Sequence, residues 1–142
     1  MTRLIEMKWP TLGKKIRARL LEDKAPELCQ AVWESLPVKS IQWHAVISGQ
    51  GIGIPCRVVW TNMENPVGRQ AGDVYFYGNG QLIIVTYGET TEPCKVNKFA
   101  EVLPQDRETS REVGEAIWES FKTSTLDVIP VTVVQCQEEH IQ

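Results

Sequence analysis

The chain reads as a mainly β protein with two helices, folded as a closed antiparallel barrel. Three observations carry this expectation. From Ile41 to Leu103 strand-like segments follow one another with no helical period between them, which argues against a parallel α/β sheet. Two flanking segments place apolar residues at three- and four-residue spacing, the mark of an amphipathic helix. A basic alternating stretch near the start and an apolar stretch near the end supply further strands.

Taken in order, Leu4 to Trp9 is a weakly alternating strand and Pro10 to Gly13 a turn. Ile16, Ala18 and Leu20 alternate with Lys15, Arg17 and Arg19, so the second arm of this opening hairpin is half-buried with a basic outer face. A helix starts near Asp23, with Pro26 tolerated in its first turn. Leu28, Cys29, Val32, Trp33 and Leu36 form its apolar face, and Pro37 ends it. Ile41 to Ile47 is expected as a buried strand breaking into the glycine-rich turn of Gly49, Gly51 and Gly53, and Cys56 to Thr61 as the strand that turns back. Asn62 to Ala71 is a polar loop. Val74 to Tyr77, the turn Gly78-Asn79-Gly80 and Leu82 to Tyr87 form a hairpin. Val96 to Leu103 is a further strand, Asp106 to Lys122 the second helix, Leu126 to Cys136 the closing strand and Gln137 to Gln142 a frayed tail.

At 142 residues the chain fits one domain, 1–142. A net charge of −3 and the lack of a basic stripe argue against a nucleic-acid partner. The longest apolar runs, Leu82 to Val85 and Val131 to Val134, are far too short to span a bilayer. Met1 to Trp9 carries Arg3, Glu6 and Lys8 and has no apolar signal core, so the expected location is cytoplasmic, without membrane association. Cys29, Cys56, Cys94 and Cys136 show no metal-like spacing and read as small thiols in a reducing compartment. Cys56, beside Arg57, is the candidate for a lowered thiol pKa. A homodimer is admitted by the edges of a small barrel, with no interface signature in the sequence.

The candidate chemistry centres on His44 as general acid or base and Glu64 as its carboxylate partner or second acid–base group. Arg57 is the candidate anchor for an anionic substrate. Ser48, Gln50, Asn65, Tyr75 and Tyr77 complete the expected substrate-binding set, with Trp60 in the wall. No metal and no organic cofactor is called for. Each residue also has a plain reading. His44 can be a satisfied core histidine, Glu64 can bond to backbone amides as a cap, Arg57 can be a solvated strand residue, and Tyr75 and Tyr77 can be packing.

The segment Trp43-His44-Ala45-Val46-Ile47-Ser48-Gly49, the helix following Asp23-Lys24-Ala25-Pro26, and Asn79-Gly80-Gln81-Leu82-Ile83 resemble cyclophilin elements in the right order. The catalytic equipment of that family is not matched. Its arginine corresponds to Ala45, its pocket aromatics to Gln50 and Ile83, and no tryptophan lies between Gly88 and Asn97. A peptidyl-prolyl isomerase is therefore not the expectation. Met63-Glu64-Asn65-Pro66, Gly72-Asp73-Val74, Gly80, Tyr87-Gly88 with Thr90, and His44 with Ser48-Gly49 resemble the prokaryotic cyclophilin-like proteins. A more distant resemblance is to the barrel of cucumopine synthase and related Pictet–Spengler catalysts, which join an amine to a carbonyl acid. This resemblance implies a small-molecule site at the barrel face. The expected function is cofactor-free acid–base chemistry of lyase, isomerase or condensation type on a small carboxylated, amide or imine substrate. The alternative is a non-catalytic ligand-binding or interaction module.

Overall fold

A computed structural model of the chain describes residues 2–123 and 128–137. It is mainly β with two helices, and the opening hairpin is as expected. β1 (Arg3–Trp9) and β2 (Lys14–Leu20) pair antiparallel around Gly13, which sits at φ +64 where a left-handed residue is needed. α1 (Pro26–Ser35) follows, burying Leu28, Cys29 and Val32. Next come β3 (Val38–Ser40) and β4 (Trp43–His44), then β5 (Gly49–Pro55) and β6 (Pro66–Gly68). β7 (Asp73–Tyr77), β8 (Leu82–Thr90) and β9 (Lys95–Val102) lead to α2 (Arg107–Phe121) and β10 (Val131–Gln137).

The sheet is antiparallel in the order β3-β10-β1-β2-β9-β7-β8-β5-β4, with β6 added on β9. The expected closed barrel is not formed. β3 pairs with β10 and β4 with β5, but among the described residues the two make no ladder with each other. Pro55 at the end of β5 has no N–H to offer a neighbouring strand. Side chains hold this seam instead. The Ser40 hydroxyl donates to Pro55 O at 2.7 Å, and Gln42 Nε2 donates to Ile129 O at 2.9 Å. The buried indole of Trp9 donates to Gln42 Oε1 at 2.7 Å.

Two further expectations are corrected in the middle of the chain. The strand Ile41 to Ile47 shrinks to Trp43–His44, and the glycine-rich stretch expected as a turn is itself the strand β5. Gly51 and Gly53 share one face of this strand, while the register against β8 shifts between Gly49 and Gly51. Cys56 to Thr61, expected as the returning strand, is irregular. Residues 124–127, which include the first two positions of the expected closing strand, and the tail beyond Gln137 lie outside the described residues.

The core forms between the curved sheet and the helices. Trp9, Phe99, Ile16, Ile52, Ile54, Ile83 and Ile117 are among its fully buried side chains. α2 packs across β2, β4, β5 and β8, and α1 lies against β9. Among the described residues no helix is long and apolar enough to cross a membrane.

Candidate functional site

The site begins with the bare face of β5. Trp43 pairs with Gly53, and a Cβ on Gly53 would stand 2.9 Å from the indole. The glycine lets the ring lie against the strand. Gly49, at φ +119, backs onto the Glu89 carbonyl, where a Cβ would stand 2.4 Å away. The chain bends over residues 45–48 between these two points, leaving Val46 and Ile47 exposed. A cavity of about 770 Å³ opens beside this bend. Trp43, Trp60, Tyr75, Tyr77, Ile84 and Val96 form its apolar walls.

A cation with a largely buried side chain, Arg69, stands in that cavity, while Lys95 at its edge is exposed. Arg69 follows β6, whose Gly68 pairs with Lys95 of β9, and this ladder brings Arg69 up to the β8–β9 connection. Its side chain is only 5% exposed. Nη1 donates to the Tyr75 hydroxyl at 3.1 Å, and Nη2 donates to both the carbonyl and Oε2 of Glu92 at 3.1 Å. Nη2 also reaches Cys94 Sγ at 3.6 Å. Nε is buried and meets no hydrogen-bond partner among the described residues. Burial pushes the Tyr75 phenol up from its ordinary value, with Arg69 pulling the other way.

His44 points away from Arg69 towards α2. Its Nδ1–H donates to the Ala45 carbonyl at 2.5 Å, which leaves Nε2 to accept from the Tyr87 hydroxyl, also at 2.5 Å. Trp118 lies over the ring at a centroid distance of 4.7 Å. Tyr87 fits against α2 because residue 114 is glycine, where a Cβ would stand 2.3 Å from the phenol ring. Burial pushes the Tyr87 phenol up, helped by Glu115. Burial holds the His44 imidazole below its ordinary value of 6.5, against the opposing pull of the Ala45 carbonyl.

The last shift fixes a pH dependence. In the unfolded chain His44 takes up a proton as pH falls through 6.5, and in the native protein it resists until lower pH. The unfolded state binds the extra proton, so stability is lost as pH falls across that window. Melting temperatures between about pH 8 and about pH 5 will show this loss, and His44→Gln will flatten the profile. Parallel profiles for the two proteins would remove His44 as its source.

Glu64 is not brought to His44. Its carboxylate accepts from the first-turn amides of α1, Glu27 N at 3.2 Å and Leu28 N at 2.7 Å. Ala25 at the N-cap has no side-chain acceptor, so the cap comes from the 62–65 loop, where it also meets the positive end of the helix. Glu64→Ala will therefore cost about 1 kcal/mol of stability. Equilibrium urea unfolding measures it, and a variant as stable as the parent would deny the cap its role. Asn65 belongs to the same clamp, since Nδ2 donates to Lys98 O at 3.1 Å and its own amide donates to Asn97 Oδ1 at 3.4 Å.

The other expected residues divide. Tyr75 and Tyr77 both line the cavity, as do His44 and Ser48. Gln50 is exposed, and its Oε1 accepts from Glu89 N at 2.9 Å. Arg57 is exposed in a separate shallow depression beside Pro37, Lys39 and Pro55, where it donates to Ser35 O at 3.4 Å. Cys56 is half-buried, and burial pushes its thiol up, opposite to the expected direction. Sequence reasoning missed Arg69, which lies in the stretch 62–71 read only as a polar loop, and Glu92, which lies between the expected strands ending at Tyr87 and starting at Val96. Among the described residues no three His, Cys, Asp or Glu side chains gather as a metal-binding group.

Comparison with known proteins places this geometry. A family model described as a protein of unknown function, DUF3830, matches residues 9–120. The solved structure of McbB in complex with tryptophan is similar to the chain at a TM-score of 0.84 and 29% identity. That match covers 92% of this chain and 44% of McbB, so the chain spans less than half the length of that relative. The solution structure of the hypothetical protein AF2241 from Archaeoglobus fulgidus shares the fold at a TM-score of 0.65 and 18% identity, covering 95% of both chains. No curated protein matches.

Proposed function

The chain belongs to the DUF3830 family of proteins of unknown function, and from that premise we propose that it binds, and acts by acid–base chemistry on, a small carboxylated molecule with an aromatic or apolar body. The observation that carries this reading is Arg69, a guanidinium enclosed in a cavity of aromatic and aliphatic walls. A buried cation is costly unless an anion meets it. Among the described residues the one carboxylate lining the cavity, Glu92, sits on an exposed loop and is itself half in solvent. A ligand carboxylate suits the same guanidinium through parallel hydrogen bonds. The walls suit a flat apolar body. Tryptophan, present in the McbB complex, has both features. The resemblance to cyclophilin-like proteins and to the cucumopine synthase barrel points to the same kind of small-molecule site.

The chemistry follows from what shares Arg69. A ligand carboxylate arriving there competes with Glu92 for Nη2 and leaves the Glu92 carboxylate free beside the ligand, able to accept and return a proton. The Tyr75 hydroxyl, held by Nη1, stands by as a donor. Condensation, isomerisation and elimination next to a carboxylate all need such a proton carrier, and none of them requires a metal or organic cofactor. His44 takes no proton from the ligand in this scheme and instead holds the turn that carries Trp43. The second reading, a binding module without turnover, is favoured by one observation. Both ring nitrogens of His44 and both oxygens of Glu64 are already engaged, so the expected acid–base pair is not assembled.

Titration calorimetry with tryptophan and with tryptophanamide tests the anchor. The acid is expected to bind, and loss of the carboxylate to weaken binding about tenfold or more, equivalent to ~1.4 kcal/mol. Arg57→Ala should leave both affinities unchanged. Equal affinities for acid and amide, or no binding by any aromatic acid, would refute the assignment.

A further inference from the structure

Three of the four cysteines are shielded. Cys29 is buried, and burial pushes its thiol up to about 12. Cys56 and Cys136 are half-buried, and burial pushes both thiols up. Cys94 is different. It is exposed, it lines the cavity with Arg69, and its Sγ lies 3.6 Å from Arg69 Nη2. Arg69 is a second pointer to an anion at this place: its side chain is 5% exposed, the Glu92 carboxylate on its Nη2 is half in solvent, and its buried Nε has no partner among the described residues. A guanidinium stabilises whichever sulfur anion forms beside it, and exposed thiols next to cations are the ones that oxidise selectively.

We propose that Cys94 is an oxidation site for hydrogen peroxide, and that its oxidised, anionic form is captured by Arg69, so that oxidation and carboxylate binding compete for one guanidinium. The competition rests on the reading of Arg69 given above; the oxidation site itself does not. In the first step a sulfur electron pair attacks one peroxide oxygen. The S–O bond forms, the O–O bond breaks, and the departing oxygen leaves as water with the thiol proton. Sulfur is oxidised by two electrons to the sulfenic acid, which thiols can reduce. A second peroxide adds a second oxygen in the same way and again yields water. The product is a sulfinic acid that ionises and is not reversed by thiols. The sulfinate oxygens then accept from Arg69 Nη2, the atom that Glu92 Oε2 now occupies at 3.1 Å.

Peptide mapping by mass spectrometry, on the folded full chain treated with hydrogen peroxide, tests the site. Cys94 is expected to gain oxygen first, with Cys29, Cys56 and Cys136 unmodified at that stage. Arg69→Gln should slow the gain severalfold. Glu92→Gln, which removes the competing carboxylate from an exposed loop, should speed it severalfold. Oxidation of Cys56 or Cys136 at an equal rate would overturn the proposal, as would an unchanged Cys94 rate in the Glu92 variant. In a second arm, peroxide should abolish tryptophan binding by the parent protein, whereas Cys94→Ser, whatever its own affinity, should bind tryptophan equally before and after treatment. Retained binding by a fully sulfinated parent refutes the competition. Failure of the untreated protein to bind tryptophan refutes the proposed function instead, and the oxidation map still decides the site.

Discussion

Arg69→Met will weaken binding of carboxylated ligands by about two orders of magnitude while leaving the protein folded. Methionine matches the arginine stem as far as Nε and suits a cavity walled by Trp43, Trp60, Tyr75 and Ile84. The substitution removes a buried charge together with its desolvation cost, and the partner left behind, Glu92, is half in solvent, so no buried charge is stranded. The binding cost is of another order. Truncating one partner of a buried, charge-assisted contact costs about 3 kcal/mol, close to a hundredfold in affinity. Calorimetry with tryptophan reads the loss and a thermal melt shows that the fold persists. Full affinity in a folded Arg69→Met protein would move the carboxylate elsewhere.

Gly114→Ala will destabilise the protein, although alanine is the better helix former by about 0.8–1.0 kcal/mol. The added Cβ would stand 2.3 Å from Cδ2 and Cε2 of Tyr87 and 2.5 Å from Cζ. None of these atoms is the end of a flexible side chain. The ring must move, and its hydroxyl then loses the 2.5 Å bond to His44 Nε2. Overpacking of this kind outweighs the propensity gain, for a net loss of roughly 2 kcal/mol and a fall in melting temperature of about 8 °C. Gly88→Ala is the control. There a Cβ would meet the amide end of Gln50, which can swing aside, so the change should be much smaller. A Gly114→Ala protein that melts higher than the parent would mean that Tyr87 is not held as described.

How much of this was legible beforehand depends on contact range. The opening hairpin, both helices and the β7–β8 hairpin announce themselves by local period and turn residues, and they stand where expected. β5 was read as a turn because glycine normally breaks strands. Here the missing side chains make room for the Trp43 indole and the Glu89 backbone, and a single sequence shows neither neighbour. The closed barrel failed at one joint, where Pro55 cannot donate and Ser40 substitutes a hydroxyl. The site was legible only in its walls. Tyr75 and Tyr77 line the cavity, but its cation comes from Arg69, which meets Glu92 across 23 positions of chain through the short β6–β9 ladder. Arg57, expected as the carboxylate anchor, lies in another depression, and the strand expected to carry it does not form. Glu64 had one local clue. An alanine N-cap ahead of Pro26 leaves a helix start in need of an acceptor from elsewhere.

The seam between β3 and β4 also sets where this chain tolerates being cut. The chain passes from one edge of the sheet to the other through just Ile41 and Gln42, whereas Arg3 and Gln137 are direct partners in the β1–β10 ladder. A circular permutant opened between Ile41 and Gln42, and linked through the neighbouring ends of β1 and β10, breaks no strand pairing. Its first strand would be one edge of the sheet and its last strand the other.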